Sequence, residues 1–298
     1  MNCSTWNILS QLQFGALSSL SIIIIKSSPL DKFLPVVYYV LMAKVIAFTN
    51  QKGGVGKTTT CVNLSAYLAE LGKKILIIDI DPQGNATASV GVEKYANTKT
   101  IYDVLVERSD ISEVVKMTQI KGLEIIPATT DIAGAEIELV RVNGRDRLLK
   151  QYLQKVRPSY DYICIDCPPS FGLLTLNALT AADALVIPIQ CEFLALEGVT
   201  QLINTVRLVR KQGLNPTLDI DGVLLTMKDR SSLSEQVSQE ILKFFGKKVF
   251  KTKIPRNVRL AEAPSHGVPI SLFDRKCAGG VAYQTLASEF LERQKPTQ

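Results

Sequence analysis

A single-domain α/β fold, with a mostly parallel central sheet and helices on both faces, is predicted by three observations. Short apolar runs alternate with helical stretches from residue 44 onward, the βαβ grammar of a parallel sheet. The runs are β-branched and nearly continuously apolar, as strands covered on both faces must be. A glycine-rich turn joins the first run to the first helix, at the carboxyl edge where open α/β sheets bind ligands.

In chain order, the expected strands are Val45 to Thr49, Lys74 to Asp79, Leu123 to Ile126, Tyr162 to Asp166, Ala184 to Pro188 and Gly222 to Thr226. Expected helices include Lys57 to Leu71, Arg145 to Val156, Leu173 to Ala181, Leu196 to Gln212, Ser234 to Phe245 and Gly280 to Gln294. No repeat, linker or low-complexity tract divides residues 42–298, so one domain is expected there. Residues 1–41 read differently. Their apolar clusters are short and interrupted, with Lys26, Asp31 and Lys32 as the only charges, and no clear element is expected. They lack the early basic region of a secretory signal, and Ile8 to Ile25 is too diluted by Ser and Gln for a good spanning helix. Met42-Ala43-Lys44 looks like a natural start, so residues 1–41 are expected to be an irregular extension derived from an upstream start codon.

The 298 residues, 46% hydrophobic and 21% charged, suit a globule with a full core rather than a disordered chain. Six cysteines lie in apolar contexts without regular spacing, which favours a reducing, cytoplasmic compartment over a disulfide framework. Cys164 and Cys167 spell C-x-x-C on a strand-like run, where residues three apart face opposite ways, so a shared metal or disulfide is disfavoured. Net charge is +6, and it is uneven: residues 201–298 hold sixteen Lys/Arg against nine Asp/Glu. Residues 241–260 hold Lys243, Lys247, Lys248, Lys251, Lys253, Arg256 and Arg259 and no acid. That imbalance suggests an anionic partner, nucleic acid first, although a solvated charged face is the plainer explanation.

The turn Asn50-Gln51-Lys52-Gly53-Gly54-Val55-Gly56-Lys57-Thr58-Thr59 reads as a phosphate cradle. Its glycines let successive N–H groups converge on an anion at a helix N-terminus. Lys57 adds a point charge, and Thr58 a hydroxyl for Mg²⁺. The strict pattern G-x-x-x-x-G-K-[ST] is missed by one residue, since Gln51 stands where glycine is required.

Asp79 and Asp81, two apart on an extended segment, can both point to one side at the sheet's carboxyl edge. A helix-capping role for these aspartates is the competing reading. Asp166 ends an apolar strand before Cys167-Pro168-Pro169, the Walker B arrangement in which a carboxylate at a strand tip holds Mg²⁺ directly or through water. His266 is the only histidine, which excludes chemistry by a histidine pair or triad. It is expected to be structural.

The string KGGVGKTT, with its extra Lys52, resembles the deviant Walker A loop of the ParA/MinD family of P-loop ATPases, and DxDPQGN (Asp79 to Asn85) and DCPPS (Asp166 to Ser170) resemble that family's later motifs. Ile254 to Gly267, Gly222 to Arg230 and Ile189 to Gly198 resemble its chromosomal ParA (Soj) branch, so the likeness runs from Met42 to about Leu291. It implies a P-loop NTPase domain that binds ATP and Mg²⁺. Lys52, Gly53, Gly54, Val55, Gly56, Lys57, Thr58 and Thr59 would hold the phosphates, with Lys52 reaching across a dimer to the partner's nucleotide. Asp81 would position the attacking water, Asp79 and Asp166 would lie with Thr58 at the metal, and Pro255 and Asn257 would touch the base. By the same likeness the chain is a DNA-partitioning ATPase: an ATP-bound sandwich homodimer binds double-stranded DNA without sequence preference. A ParB-type centromere-binding protein then stimulates hydrolysis and release. Arg230 and Arg259 match the family's DNA-binding positions, and Lys247, Lys248 and Lys251 join them by charge alone. A cytoplasmic, nucleoid-associated location follows. The MinD branch's lipid-binding C-terminal helix has no counterpart in Phe290 to Gln298, so stable membrane association is not expected. A nucleotide-gated scaffold that barely hydrolyses ATP stays open on sequence alone.

Overall fold

The computed structural model describes residues 20–23, 38–94, 98–192 and 195–295. Seven strands form one sheet in the order β5-β6-β4-β7-β3-β8-β9. They are β3 (Lys44–Phe48), β4 (Ile75–Asp79), β5 (Lys116–Met117), β6 (Leu123–Ile126), β7 (Tyr162–Asp166), β8 (Ala184–Gln190) and β9 (Asp219–Thr226). Every pairing is parallel except that of the two-residue edge strand β5 with β6. This is the mostly parallel sheet expected of a P-loop NTPase domain.

Strand alternation divides the core into two layers. Val45 and Ala47, Leu76 and Ile78, and Ile163 and Ile165 pack in one apolar cluster. Ile46 and Phe48, Ile75 and Ile77, and Cys164 pack in the other. Each layer is closed by helices, which is why the strands carry no polar face. The helices Leu148–Val156 and Leu173–Ala181 cover the first, while Lys57–Glu70 and Ala278–Arg293 cover the second. Cys164 and Cys167 fall into opposite layers, both as free thiols, as their spacing predicts.

Several boundaries differ from expectation for local reasons. Strand β8 continues through Pro188 to Gln190. Pro188 stays in register with Leu224 of β9, but pairing with β3 ends at Val186, so a missing N–H on that side interrupts no ladder, and the Pro188 carbonyl accepts from Asn50 Nδ2 at 2.7 Å. The helix expected from Arg145 starts at Leu148, because the Arg147 N–H bonds the Gly144 carbonyl in a turn.

Residues 1–41 are not wholly without structure. Leu20–Ile23 (β1) and Tyr38–Leu41 (β2) form a separate antiparallel pair, with Leu20 opposite Leu41 and Ile22 opposite Tyr39. Neither four-residue run is long enough to announce a strand alone. The stretch Ile8 to Ile25 lies outside the described residues except for β1. Among the described residues no helix is long and apolar enough to cross a membrane.

Candidate nucleotide-binding site

Parallel register brings the predicted motifs to one edge. Phe48 pairs with Asp166, and Asp166 with Asp79, so the glycine-rich turn after β3 and the carboxylates at the ends of β4 and β7 become neighbours. The helix Lys57–Glu70 begins after Gly56, whose φ of 88° is left-handed, with no side-chain cap and no acid in its first turn. Its first N–H groups and the positive end of its dipole therefore face the turn. A Cβ at Gly53 or Gly54 would meet nothing within 4 Å, which leaves an open cradle over them. Lys57 is buried, with Nζ 3.2 Å from the Lys52 carbonyl oxygen. Burial lowers its pKa, against the opposing pull of Asp166, Cys167 and Asp81.

Thr58 Oγ1 donates to Asp166 Oδ2 at 2.7 Å. Asp166 is fully buried, and its Oδ1 has no hydrogen-bond partner. Burial, then the adjacent Asp79, pushes its carboxyl well above the usual carboxylate range. An orphaned, desolvated carboxylate oxygen costs free energy unless something supplies positive charge. Among the described residues no group of three or more histidine, cysteine or carboxylate side chains could hold a metal alone. The donors present, Thr58 and Asp166 beside a phosphate cradle, fit a hard divalent cation completed by phosphate oxygen and water.

Asp79 is also fully buried. Its Oδ2 accepts from Thr87 N at 2.8 Å and Thr87 Oγ1 at 2.7 Å, and its Oδ1 from Asp81 N at 3.1 Å. Thr87 lies in the helix Asn85–Ser89, so Asp79 satisfies a helix-terminal N–H and steadies the loop carrying Asp81. That is the capping alternative in a long-range form. Asp81 is itself nearly buried, with Oδ1 accepting from Gln83 N at 2.9 Å.

Beside the cradle lies a cavity of about 380 Å³ lined by Gly56, Thr59, Thr226, Met227, Pro255 and Asn257 among others. Pro255 bridges to Lys228, and Asn257 Oδ1 caps the helix Val258–Glu262 through Arg259 N at 2.9 Å. Thr226 Oγ1 donates to the Val55 carbonyl at 2.8 Å, tying cradle to cavity. Thr226 and Met227 have no assigned role in the sequence reading. Met227 has a left-handed φ of 49°, rare for a residue with a side chain, and no residue pattern announces it. Lys52 Nζ is 2.6 Å from Glu192 Oε2, a pairing across 140 residues.

The expected DNA-binding residues are not equivalent. Arg230, Lys247 and Lys251 are exposed, and among the described residues none forms an ion pair shown in the structure. Lys248 Nζ instead meets both oxygens of Asp219 at 2.8 Å. Arg259 pairs with Glu262 at 2.7 Å and Asp274 at 3.0 Å, and lies over the Phe273 ring at 4.7 Å. His266 is exposed and packs on the same ring at 4.8 Å, remote in role from the phosphate cradle.

A family model described as an AAA domain matches residues 43–220. The chain is 58% identical over 249 residues to the sporulation initiation inhibitor protein Soj of Bacillus subtilis (strain 168), covering 83% of this chain and 98% of the relative. It is 50% identical over 253 residues to the chromosome-partitioning ATPase Soj of Treponema pallidum (strain Nichols), covering 85% and 98%. The fold also matches a crystal structure of cobyrinic acid a,c-diamide synthase from Mycobacterium smegmatis with bound ATP analog and magnesium. That match has TM-score 0.75 and 36% identity, and covers 86% of this chain and 97% of the other. Different names on one fold mean that activity must be argued from the site.

Proposed function

The chain belongs to the Soj/ParA family of chromosome-partitioning ATPases, and from that premise we propose that its bound nucleotide controls attachment to DNA. The observation that carries the reading is the convergence of the uncapped glycine turn, the Thr58–Asp166 pair and Asp81 at one sheet edge. Phosphoryl transfer calls mainly for positioning and neutralised charge, and these groups supply both. The helix N-terminus and Lys57 hold the β- and γ-phosphates of ATP. Thr58 and Asp166 provide oxygen donors for Mg²⁺, which when bound neutralises phosphate charge. Asp81, held by Asp79 and the Gln83 N–H, orients the attacking water. The cavity at Pro255 and Asn257 accepts the base, and its mostly apolar lining suits an aromatic ring.

In this reading two ATP-bound copies close face to face, with Lys52 of each reaching the other's phosphates. The dimer lays basic residues along the backbone of double-stranded DNA, and a ParB-type centromere-binding protein stimulates hydrolysis and release. Arg230 supports the DNA role because it follows the base-pocket residue Met227 by three positions and is exposed. Nucleotide and DNA contacts therefore share one loop. The test is ATP hydrolysis by the full chain with and without duplex DNA and a ParB-type partner. Mg²⁺-dependent turnover that rises when both are added is expected, and no turnover under any condition would leave the scaffold reading.

A further inference from the structure

The basic run 246–255 is fastened to the fold through its backbone. On one side it follows the edge strand β9: the Phe250 N–H donates to the Val223 carbonyl and the Ile254 N–H to the Leu225 carbonyl, both at 2.9 Å. On the other it meets two residues one turn apart on the helix Ala278–Arg293. Glu289 accepts from the N–H groups of Lys251 at 2.7 Å and Thr252 at 2.8 Å, one on each carboxylate oxygen. Arg293 donates to the carbonyls of Lys247, Lys248 and Val249 at 3.4, 3.2 and 2.7 Å. Its guanidinium also lies 4.2 Å over the Phe250 ring, which fills the space that a side chain at Gly222 would need. The two residues bond each other at 2.6 Å, and their side chains are only 13% and 22% exposed. Neither has a role in the ATPase mechanism derived above.

We infer that Glu289 and Arg293 are positioning residues for a cationic strip, Lys247, Lys251 and Lys253, which fits the phosphate backbone of a nucleic acid. The inference rests on the proposed binding of DNA. All three lysines are exposed, whereas Val249, Phe250 and Ile254 of the same run are buried. The strip therefore offers charge without an apolar wedge, which suits a phosphate backbone rather than a lipid surface. A run without the clamp would have to be ordered as it bound, and that ordering weakens binding. With the clamp, the backbone between Lys247 and Thr252 is set in advance by charge-assisted hydrogen bonds. If charge alone counted, the Glu289 carboxylate would repel a polyanion. Its oxygens are instead engaged by two N–H groups and the Arg293 guanidinium.

The experiment measures binding of a fluorescein-labelled duplex of arbitrary sequence by the ATP-loaded full chain across a salt series, with site-resolved hydrogen exchange on the same proteins. Glu289→Gln removes an acid, so charge alone would tighten binding, whereas loss of the clamp should weaken it by about three- to tenfold. Arg293→Lys keeps the charge but loses the planar fork, and should weaken binding by about the same factor with the log–log salt slope unchanged. Lys251→Ala should instead reduce that slope by about one. In Glu289→Gln the Lys251 and Thr252 amides should exchange about fivefold faster or more, while those of β7 stay protected, which separates a loosened run from an unfolded chain. Hydrolysis without DNA should be the same in wild type and both clamp variants. Tighter or unchanged binding by Glu289→Gln, or full affinity in Arg293→Lys, overturns the clamp. An unchanged slope in Lys251→Ala removes the strip from the contact, and binding of phosphatidylserine vesicles in place of the duplex overturns the choice of partner. A wild type that binds neither overturns the DNA reading itself, an outcome distinct from a clamp that fails in a wild type that binds.

Discussion

Asp79 and Asp166 are register partners on adjacent parallel strands, and both carboxyl groups are fully buried. Residues in register on a parallel pair point to the same face, so the sheet itself forces two acids together. Burial pushes Asp79 up to about 6 against three hydrogen bonds that pull it down, and burial followed by the charge of Asp79 pushes Asp166 well above the usual carboxylate range. The arrangement is stable only because the fold elsewhere offsets it, and it suits a site completed by positive charge.

Stability of the nucleotide-free protein should register this pair. With both pKa values raised above those of the unfolded chain, the folded state holds more protons from about pH 4 upward. The pair's contribution is therefore full below pH 4 and declines as pH rises, through about pH 6 for Asp79. Asp166→Asn keeps an acceptor for Thr58 and removes the buried charge. It should stabilise the nucleotide-free protein by roughly 2 kcal/mol at pH 7.5 and by little at pH 4. Urea denaturation at both pH values checks this, and equal stability at pH 7.5 would contradict it.

Asp81→Ala removes the carboxylate but leaves the phosphate cradle intact. Hydrolysis should drop by about 100-fold or more, while ATP affinity changes little. Single-turnover hydrolysis together with equilibrium nucleotide binding separates the two effects. Parallel loss of binding would show that Asp81 supports the loop rather than the water.

For DNA, the ion pairs rank the basic residues. Arg230→Ala should weaken duplex binding by the ATP-loaded protein and reduce its log–log salt slope by about one. Lys248→Ala, whose ammonium already meets Asp219, should change both much less. Fluorescence anisotropy across a salt series measures slope and affinity. Equal effects of the two substitutions would mean that Lys248 exchanges its partner for phosphate.

Gly84 has a left-handed φ of 58°, and a Cβ there would lie 2.7 Å from the Ala128 carbonyl oxygen. Backbone strain and the clash act together, so Gly84→Ala should destabilise by about 2 kcal/mol or more. Because the same turn carries Asp81, activity should fall even at temperatures where the variant stays folded. Thermal unfolding followed by circular dichroism, paired with hydrolysis at low temperature, checks both parts.

Much of the candidate site was legible because it depends on local chemistry. Gly53, Gly54 and Gly56, Lys57 and Thr58, and the strand-ending Asp166 sit within short motifs whose residue types follow from what a phosphate and a cation need. Glu192 and Thr87 were not legible as partners. Lys52 and Glu192 are 140 residues apart, and nothing in either local stretch names the other. Met227 was hidden for another reason: a left-handed backbone at a residue with a side chain is set by the loop's surroundings, not by its own preference.

The sequence by itself determined the α/β class, the cradle and the identity of its charged groups, because strand patterning and motif chemistry are local properties of the chain. Only the tertiary structure decided what each charge meets. Parallel register set Asp79 beside Asp166, and loop packing turned Asp79 toward Thr87. Ion pairing set Lys248 and Arg259 apart from Arg230. A charge acts through the distances and burial around it, and those are established only when distant segments meet.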